Sequence, residues 1–153
     1  VARLAEATVS WAEFVAHALA ELDVDVNGLQ ALTQVHCHER SVGDPTHSAA
    51  ILRALGVAEE QIATGCCGLA GNWGFEPGHA EMSLALGERE LYPRVRVAEG
   101  EDIADGFSCR TQIEQGTGRR ARHLAEVVRD VLRAQSSLAF RSGSQRTPRD
   151  KRF

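Results

Sequence analysis

Four cysteines are the residues with the clearest chemical potential in this 153-residue chain. They are Cys37, the adjacent pair Cys66 and Cys67, and Cys109. Four thiolates are enough to hold an iron-sulfur cluster or a tetrahedral zinc ion. The spacing contains neither the CxxC pair of a zinc finger nor the cysteine run of a ferredoxin, so tertiary structure must bring the thiols together. The sequence therefore predicts one metal site formed by all four cysteines.

The adjacent pair is unusual, because neighbouring side chains on a strand point to opposite faces and would miss a common metal. Gly65 and Gly68 flank the pair, and glycine adopts backbone angles closed to other residues while leaving room beside the main chain. On such a turn, Cys66 and Cys67 could bind different atoms of a polynuclear cluster. Two alternatives stay open. The pair could be small core residues, or a vicinal redox pair, although Cα atoms about 3.8 Å apart strain a disulfide.

The elements that must position the cysteines follow from apolar periodicity and turn signals. Strands are predicted at 29–36, 60–64 and 101–107, and helices at 10–22, 44–56, 78–91 and 124–132. Each cysteine or pair follows a predicted strand. This alternation predicts an α/β fold with an open, mostly parallel sheet and helices packed on it. Ligands of such sheets bind at the carboxyl ends of the strands, so the metal site is expected there.

Local signals support three of these helices. Ser10 with Glu13 forms a capping box for the first helix, and Asp44 followed by Pro45 predicts a cap and a first-turn proline for the second. The clearest helical stripe in the chain comes last, and it consists of Leu124, Val127, Val128, Val131 and Leu132.

Composition and length indicate one ordinary domain, with 43% hydrophobic and 25% charged residues. No apolar run approaches the roughly 20 residues that span a bilayer, so no transmembrane segment is expected. The chain starts at Val1 without a secretory signal, which favours a cytoplasmic protein with reduced thiols. The missing initiator methionine suggests a fragment or a processed chain.

Charge divides the chain into two parts. Residues 141–153 carry a net charge of +4 and the remainder carries −8, which together give the overall −4. We expect a single domain at 1–140 and a basic, disordered tail at 141–153. The acidic body, poor in aromatic residues, argues against nucleic-acid binding.

Three motifs carry a resemblance to a known family. They are Cys37-His38-Glu39-Arg40, Gly65-Cys66-Cys67-Gly68-Leu69-Ala70-Gly71 and Ser108-Cys109-Arg110-Thr111-Gln112-Ile113. Their order resembles the CCG, or cysteine-rich, domain found in heterodisulfide reductase and in the iron-sulfur component of glycolate oxidase. It looks closest to the version at the C-terminus of FAD-linked 2-hydroxyacid oxidases of the D-2-hydroxyglutarate and D-lactate dehydrogenase type. The resemblance covers roughly residues 30 to 130.

The resemblance implies a non-catalytic domain that carries electrons between a flavin and an acceptor through a cysteine-ligated cluster, with 4Fe-4S as the expected type. It implies FAD on a partner domain rather than on this chain, which has neither a GxGxxG nor a GxxxxGK[ST] motif. The implied partners are an FAD-binding oxidase domain or subunit and a ferredoxin-like iron-sulfur domain. Peripheral association with a membrane acceptor is also compatible with it.

The chain departs from the family at Gln112, where the fuller pattern places the second cysteine of a CxxC. This removes one of five thiolates and leaves an ordinary four-iron cluster, zinc or an incompletely ligated centre as open alternatives. With zinc, the chain would be a structural or docking domain without redox activity.

Other polar residues near the cysteines have less specific roles. His36 and His38 are expected at the surface or as caps, with metal ligation or hydrogen bonds to sulfur as the alternative. Arg110 could offset thiolate charge or simply begin a helix. His79 with Glu76 is expected to be structural rather than catalytic, and the sequence reveals no partner for His123.

Overall fold

Three strands form one parallel sheet in the computed structural model, which describes residues 2–21, 24, 28–62 and 65–143. They are β1 (Gln30–Gln34), β2 (Ala58–Gln61) and β3 (Glu101–Ala104), in the order β2-β1-β3. In the register, Ala31 pairs with Glu59 on one side and Glu101 on the other. The helices are α1 (Ala2–Glu6), α2 (Trp11–Leu19), α3 (Cys37–Val42), α4 (Thr46–Ala54), α5 (Ala80–Glu88), α6 (Leu91–Val97), α7 (Phe107–Thr117) and α8 (Leu124–Gly143). The predicted α/β class with an open parallel sheet is confirmed.

Alternating side chains on the strands separate two hydrophobic cores, one on each face of the sheet. On the first face, Ala31 and Ile103 meet apolar residues of α2, α4 and α8. On the second face, Leu32 and Ala104 meet α6 and α7, and both Cys67 and Cys109 belong to this core. The fold therefore has helices on both sides of the sheet, and two of the four cysteines are part of its packing.

Two predicted helix starts have the expected hydrogen bonds. The Ser10 hydroxyl accepts from the Glu13 backbone N–H at 3.0 Å, which caps α2. The Asp44 carboxylate accepts from the Thr46 backbone N–H at 2.9 Å, so α4 begins at Thr46 and Pro45 lies at the N-cap rather than in the first turn. Gly56, at a φ of +73°, follows the end of α4 in the left-handed region that glycine favours.

One predicted helix is two helices in the structure. The segment predicted at 78–91 divides into α5, which ends at Glu88, and α6, which begins at Leu91. Pro93 explains the break, because its ring would clash with the carbonyl four residues earlier if α5 continued. In the first turn of α6 the missing N–H of proline costs nothing, since those donors have no partner within the helix.

Several element ends differ from the prediction. The third strand ends at Ala104 rather than at 107, because α7 begins at Phe107, and the second occupies 58–61 rather than 60–64. The last helix extends beyond 132 to Gly143, so the first three residues of the predicted tail are helical. The remainder of that tail, the end of the first predicted helix and residues 63–64 lie outside the described residues. Among the described helices, none combines the length and apolar character needed to cross a membrane.

Candidate metal centre

The carboxyl ends of the three strands share one edge of the sheet, and every cysteine lies just beyond that edge. The chain leaves central β1 to form β2 on one side and later returns to form β3 on the other. This reversal of strand order creates the crevice in which open α/β sheets bind ligands. Cys37 is the first residue of α3, while Cys109 lies in the first turn of α7 rather than in a loop.

A cavity of about 460 Å³ opens between these segments. It is lined by His36, Cys37, His38, Cys66, Cys67, Ala70, Gly71 and Ser108. Cys109 does not line the cavity, but its thiol is hydrogen-bonded to that of Cys67, and only 1% of Cys109 is exposed. The structure thus brings the four predicted cysteines together, three around the cavity and one directly behind Cys67.

The segment 65–74, called here the cysteine loop, turns its backbone N–H groups toward the sulfurs. The N–H of Gly68 donates to the Cys66 sulfur at 3.4 Å, and those of Leu69 and Ala70 donate to the Cys67 sulfur. This requires positive φ at Gly68 and also at Ala70, which has a φ of +49°. Successive N–H groups in such turns form concave sites for anions, iron-sulfur clusters among them. The loop therefore has the shape to stabilise negative charge on sulfur.

The thiols have different proton affinities. The hydrogen bond from the Cys109 thiol lowers the pKa of Cys67, and the backbone donors of the cysteine loop lower it further. The same bond, together with burial, raises the pKa of Cys109. Burial raises the pKa of Cys66 as well. Cys67 and Cys109 consequently share one proton over a wide pH range.

We expect the stability of the metal-free, reduced protein to pass through a maximum near the ordinary thiol pKa of about 8.5. Between the lowered pKa of Cys67, about 6, and this maximum, the unfolded chain keeps both protons of Cys67 and Cys109 while the folded pair keeps one, so the free energy of unfolding rises with pH. Above it, the unfolded chain loses both protons and the folded pair keeps one, so stability falls. Each slope is at most about 1.4 kcal/mol per pH unit.

Urea unfolding between about pH 6 and 10, with a chelator and a thiol reductant, measures this profile. Cys109→Ala removes the shared proton and should remove the decline above the maximum that this pair causes. Thr111→Ala, on the same helix but hydrogen-bonded only within it, should leave the profile unchanged. A profile in wild type that is flat across this range contradicts the assignment.

The two histidines beside Cys37 line the cavity, but neither has a cap hydrogen bond. His36 lies at the N-cap of α3 without a side-chain bond there, and its ring packs on Gly106, where an added Cβ would lie 2.4 Å from the ring. The ring centroids of His36 and His38 are 6.2 Å apart. Gly106 is therefore a position where sequence reasoning missed a close approach beside the site.

Arg110 is hydrogen-bonded to the backbone at the end of β3. Its guanidinium donates to the carbonyl oxygens of Ala104 at 2.9 Å and Asp105 at 2.7 Å, at the carboxyl end of β3. It thereby joins that strand to α7, which carries Cys109. These two bonds give Arg110 a structural role at the start of α7.

His79 and His123 have structural contacts. The His79 ring stacks on Trp73 with centroids 4.4 Å apart, and its Nδ1 lies 3.3 Å from the Glu76 carboxylate. His123 has the partners that the sequence did not reveal, because its Nδ1 accepts from the Ala125 N–H at 3.0 Å and lies 3.6 Å from the Asp105 carboxylate.

The donor set consists of thiols that do not form a ready-made single-ion site within the described residues. Across the described residues, no three His, Cys, Asp or Glu side chains come together closely enough to hold a single ion. The chemistry of the donors fits a thiolate-ligated cluster, since four cysteines, one open cavity and inward N–H groups share one edge of the sheet. The metal site itself stays a prediction.

Comparison with known proteins relates this chain to parts of oxidoreductases. It is 32% identical over 101 residues to D-2-hydroxyglutarate dehydrogenase of Escherichia coli (strain K12), which covers 64% of this chain and 10% of that protein. The Pantoea ananatis protein of the same name is 32% identical over 124 residues, covering 78% and 12%. One of the subunits of anaerobic glycerol-3-phosphate dehydrogenase from E. coli (strain K12) is 29% identical over 107 residues, covering 68% and 26%.

The chain therefore spans about a tenth of the length of the D-2-hydroxyglutarate dehydrogenases that it matches. No protein-family model and no solved structure matches it.

Proposed function

We propose that this chain is an iron-sulfur electron-transfer domain of an FAD-linked 2-hydroxyacid oxidoreductase. Cys37, Cys66, Cys67 and Cys109 would ligate a 4Fe-4S cluster within one CCG-type domain, residues 1–140. The observation that carries the proposal is the convergence of all four thiols on one edge of the sheet, beside backbone donors aimed at sulfur. The similarity to D-2-hydroxyglutarate dehydrogenases supports the class of reaction.

In this proposal the cysteines differ in their exposure to solvent. Cys66 is exposed at the cavity mouth, while Cys67 and Cys109 are buried away from water. Hydrogen bonds from the cysteine loop stabilise charge on the sulfurs, which raises a reduction potential. A bound cluster would supply one-electron transfer, and substrate chemistry would take place elsewhere.

The proposed partners follow from the same similarity. We infer that FAD is bound by an oxidase domain or subunit outside this chain, and that a ferredoxin-like iron-sulfur domain and a downstream acceptor, cytosolic or peripheral to a membrane, complete the route. The four free cysteines favour the reducing environment of the cytoplasm. Nucleic acid is not among the proposed partners.

Anaerobic reconstitution of the purified full chain with iron and sulfide tests the function. We expect about four iron and four sulfide per chain, a brown colour and an EPR signal on reduction, as for cysteine-ligated clusters. A colourless chain without iron after this treatment would contradict the proposal.

A zinc site that stabilises the fold or docks a partner is the second candidate. It is favoured by Gln112, which stands where the family pattern has a fifth cysteine and therefore leaves four thiols, the number in a Cys₄ zinc site. The Gln112 side chain is buried and hydrogen-bonded to Ser83. Stoichiometric zinc, an unfolding temperature that falls on chelation and no redox signal would identify this function.

A further inference from the structure

Gln112 joins two helices, α7 and α5, that both contact the cysteine loop. It follows Cys109 by three residues on α7, and only 1% of the residue is exposed. Its side-chain Nε2 donates to the Ser83 carbonyl oxygen at 2.9 Å and to the Ser83 hydroxyl at 3.1 Å. Ser83 belongs to α5 and is 2% exposed. One amide group thus makes two hydrogen bonds between α7 and α5 in a dry environment.

Ser83 is also the residue against which the cysteine loop rests. A Cβ added at Gly68 would lie 2.3 Å from the Ser83 carbonyl oxygen and 3.0 Å from Gln112 Nε2. A Cβ added at Gly74 would lie 2.5 Å from the Ser83 hydroxyl. The loop is closed on itself by the Gly74 N–H, which donates to the Leu69 carbonyl at 2.9 Å. The loop backbone therefore contacts the Ser83–Gln112 pair at two separated points.

Helix α7 meets the cysteine loop in two places, because residues three apart on a helix share a face. Cys109 contacts the loop through the thiol of Cys67, and Gln112 contacts it through Ser83 and Gly68. A thiol is a weak hydrogen-bond donor, whereas the amide offers two strong N–H donors. Both amide bonds end on Ser83 of α5 rather than on the loop, so Gln112 restrains the loop by fixing the residue against which Gly68 and Gly74 pack.

We propose that Gln112 is a positioning residue that, through Ser83, holds the loop bearing Cys66 and Cys67 at a set distance from Cys109. A cysteine at this position would be too short to reach Ser83 with two donors. At this position the chain thus has, instead of the second thiol of a CxxC, an amide whose hydrogen bonds to Ser83 help to place the other thiols. The inference rests on the proposed function, because it concerns how the proposed ligands are placed.

The test is the rate at which each cysteine of the reduced, metal-free full chain reacts with iodoacetamide, followed residue by residue by mass spectrometry. Gln112→Met keeps the length of the side chain and removes both N–H donors. We expect Cys67, which is 3% exposed, to react about tenfold faster, because the loop opens locally more often. Cys37 on α3 should keep its rate.

Val128→Ala provides the matched control, since it weakens the core on the opposite face of the sheet. The two variants are compared in urea concentrations that give equal global stability. If Cys37 and Cys67 accelerate together in Gln112→Met, as global unfolding predicts, or if neither changes, the positioning role is overturned. Should Gln112→Met not fold, Ser83→Ala removes only the hydroxyl contact, and a rise of about threefold confined to the cysteine loop is expected.

Iron reconstitution of the same variants separates this inference from the proposed function. If wild type binds a cluster, Gln112→Met should alter its EPR spectrum, which a remote loss of stability in Val128→Ala would not. If wild type binds no iron, the proposed function fails, and the iodoacetamide rates still decide whether Gln112 positions the loop.

Discussion

Replacing Cys66 by serine should lower the iron retained by the reconstituted chain by about tenfold or more, while the stability of the metal-free protein changes by less than about 0.5 kcal/mol. Cys66 is the exposed member of the adjacent pair, and its sulfur accepts hydrogen bonds from the backbone N–H groups of Gly68, at 3.4 Å, and Ala70. A serine oxygen accepts the same bonds but is a poor ligand for iron in a thiolate cluster. The substitution therefore removes a ligand without removing packing.

Iron and sulfide analysis after desalting, with urea unfolding of the metal-free form, measures both quantities. Ser108→Ala is the matched control, because Ser108 lines the same cavity and carries no thiol. Its iron content should equal that of wild type. Full iron binding by Cys66→Ser would exclude Cys66 as a ligand, and a large loss of metal-free stability would show that its role is structural.

Replacing Gly116 by alanine should destabilise the protein by about 2 kcal/mol or more. The Tyr92 ring lies in a slot between Gly87 of α5 and Gly116 of α7, and 1% of the residue is exposed. A Cβ at Gly116 would lie 2.2 Å from the Tyr92 ring, and one at Gly87 would lie 2.3 Å from it. The ring cannot shift away from either side, so we expect a cost of overpacking near the upper end of the usual range of about 1–3 kcal/mol. This cost exceeds the gain of about 1 kcal/mol that alanine brings over glycine in helix propensity.

A double-mutant cycle in urea identifies the slot as the cause. In a Tyr92→Ala background, Gly116→Ala should become neutral or stabilising, because the clash is gone and the propensity gain remains. Glu114→Ala, on the exposed face of α7, should stay within about 0.5 kcal/mol of wild type in both backgrounds. A cost of Gly116→Ala that persists without the Tyr92 ring contradicts this explanation.

Tyr92 also illustrates what sequence reasoning could not reach. Gly87 reads from the sequence only as a weak point in a predicted helix, since glycine is a poor helix former. Its purpose depends on a ring from α6, a helix that the periodicity did not separate from α5. The break at Pro93 follows from local sterics, but which glycines face the ring depends on how α5, α6 and α7 pack.

The candidate site divides in the same way. The sequence predicted that the four cysteines would form one metal site, that a strand would precede each cysteine or pair, and that the backbone would be irregular at Gly65 and Gly68. It did not predict that Cys67 and Cys109 would share a hydrogen bond or that Gln112 would bridge to Ser83. Residues so far apart in the chain carry no local signal of contact.

Local sequence was sufficient to predict the alternation of strands and helices, the cap at Ser10, the helix start shortly after Asp44, and the position of every cysteine beyond a strand end. These features depend on backbone preferences and apolar periodicity within a few residues, which any segment of the chain carries locally. Only the folded chain shows which thiols meet, which thiol is exposed and which residue Gln112 contacts. Those outcomes depend on the strand order β2-β1-β3 and on close packing between α5, α6 and α7. Strand order and helix packing are settled by all the segments together, because each buried contact joins residues that are distant in sequence.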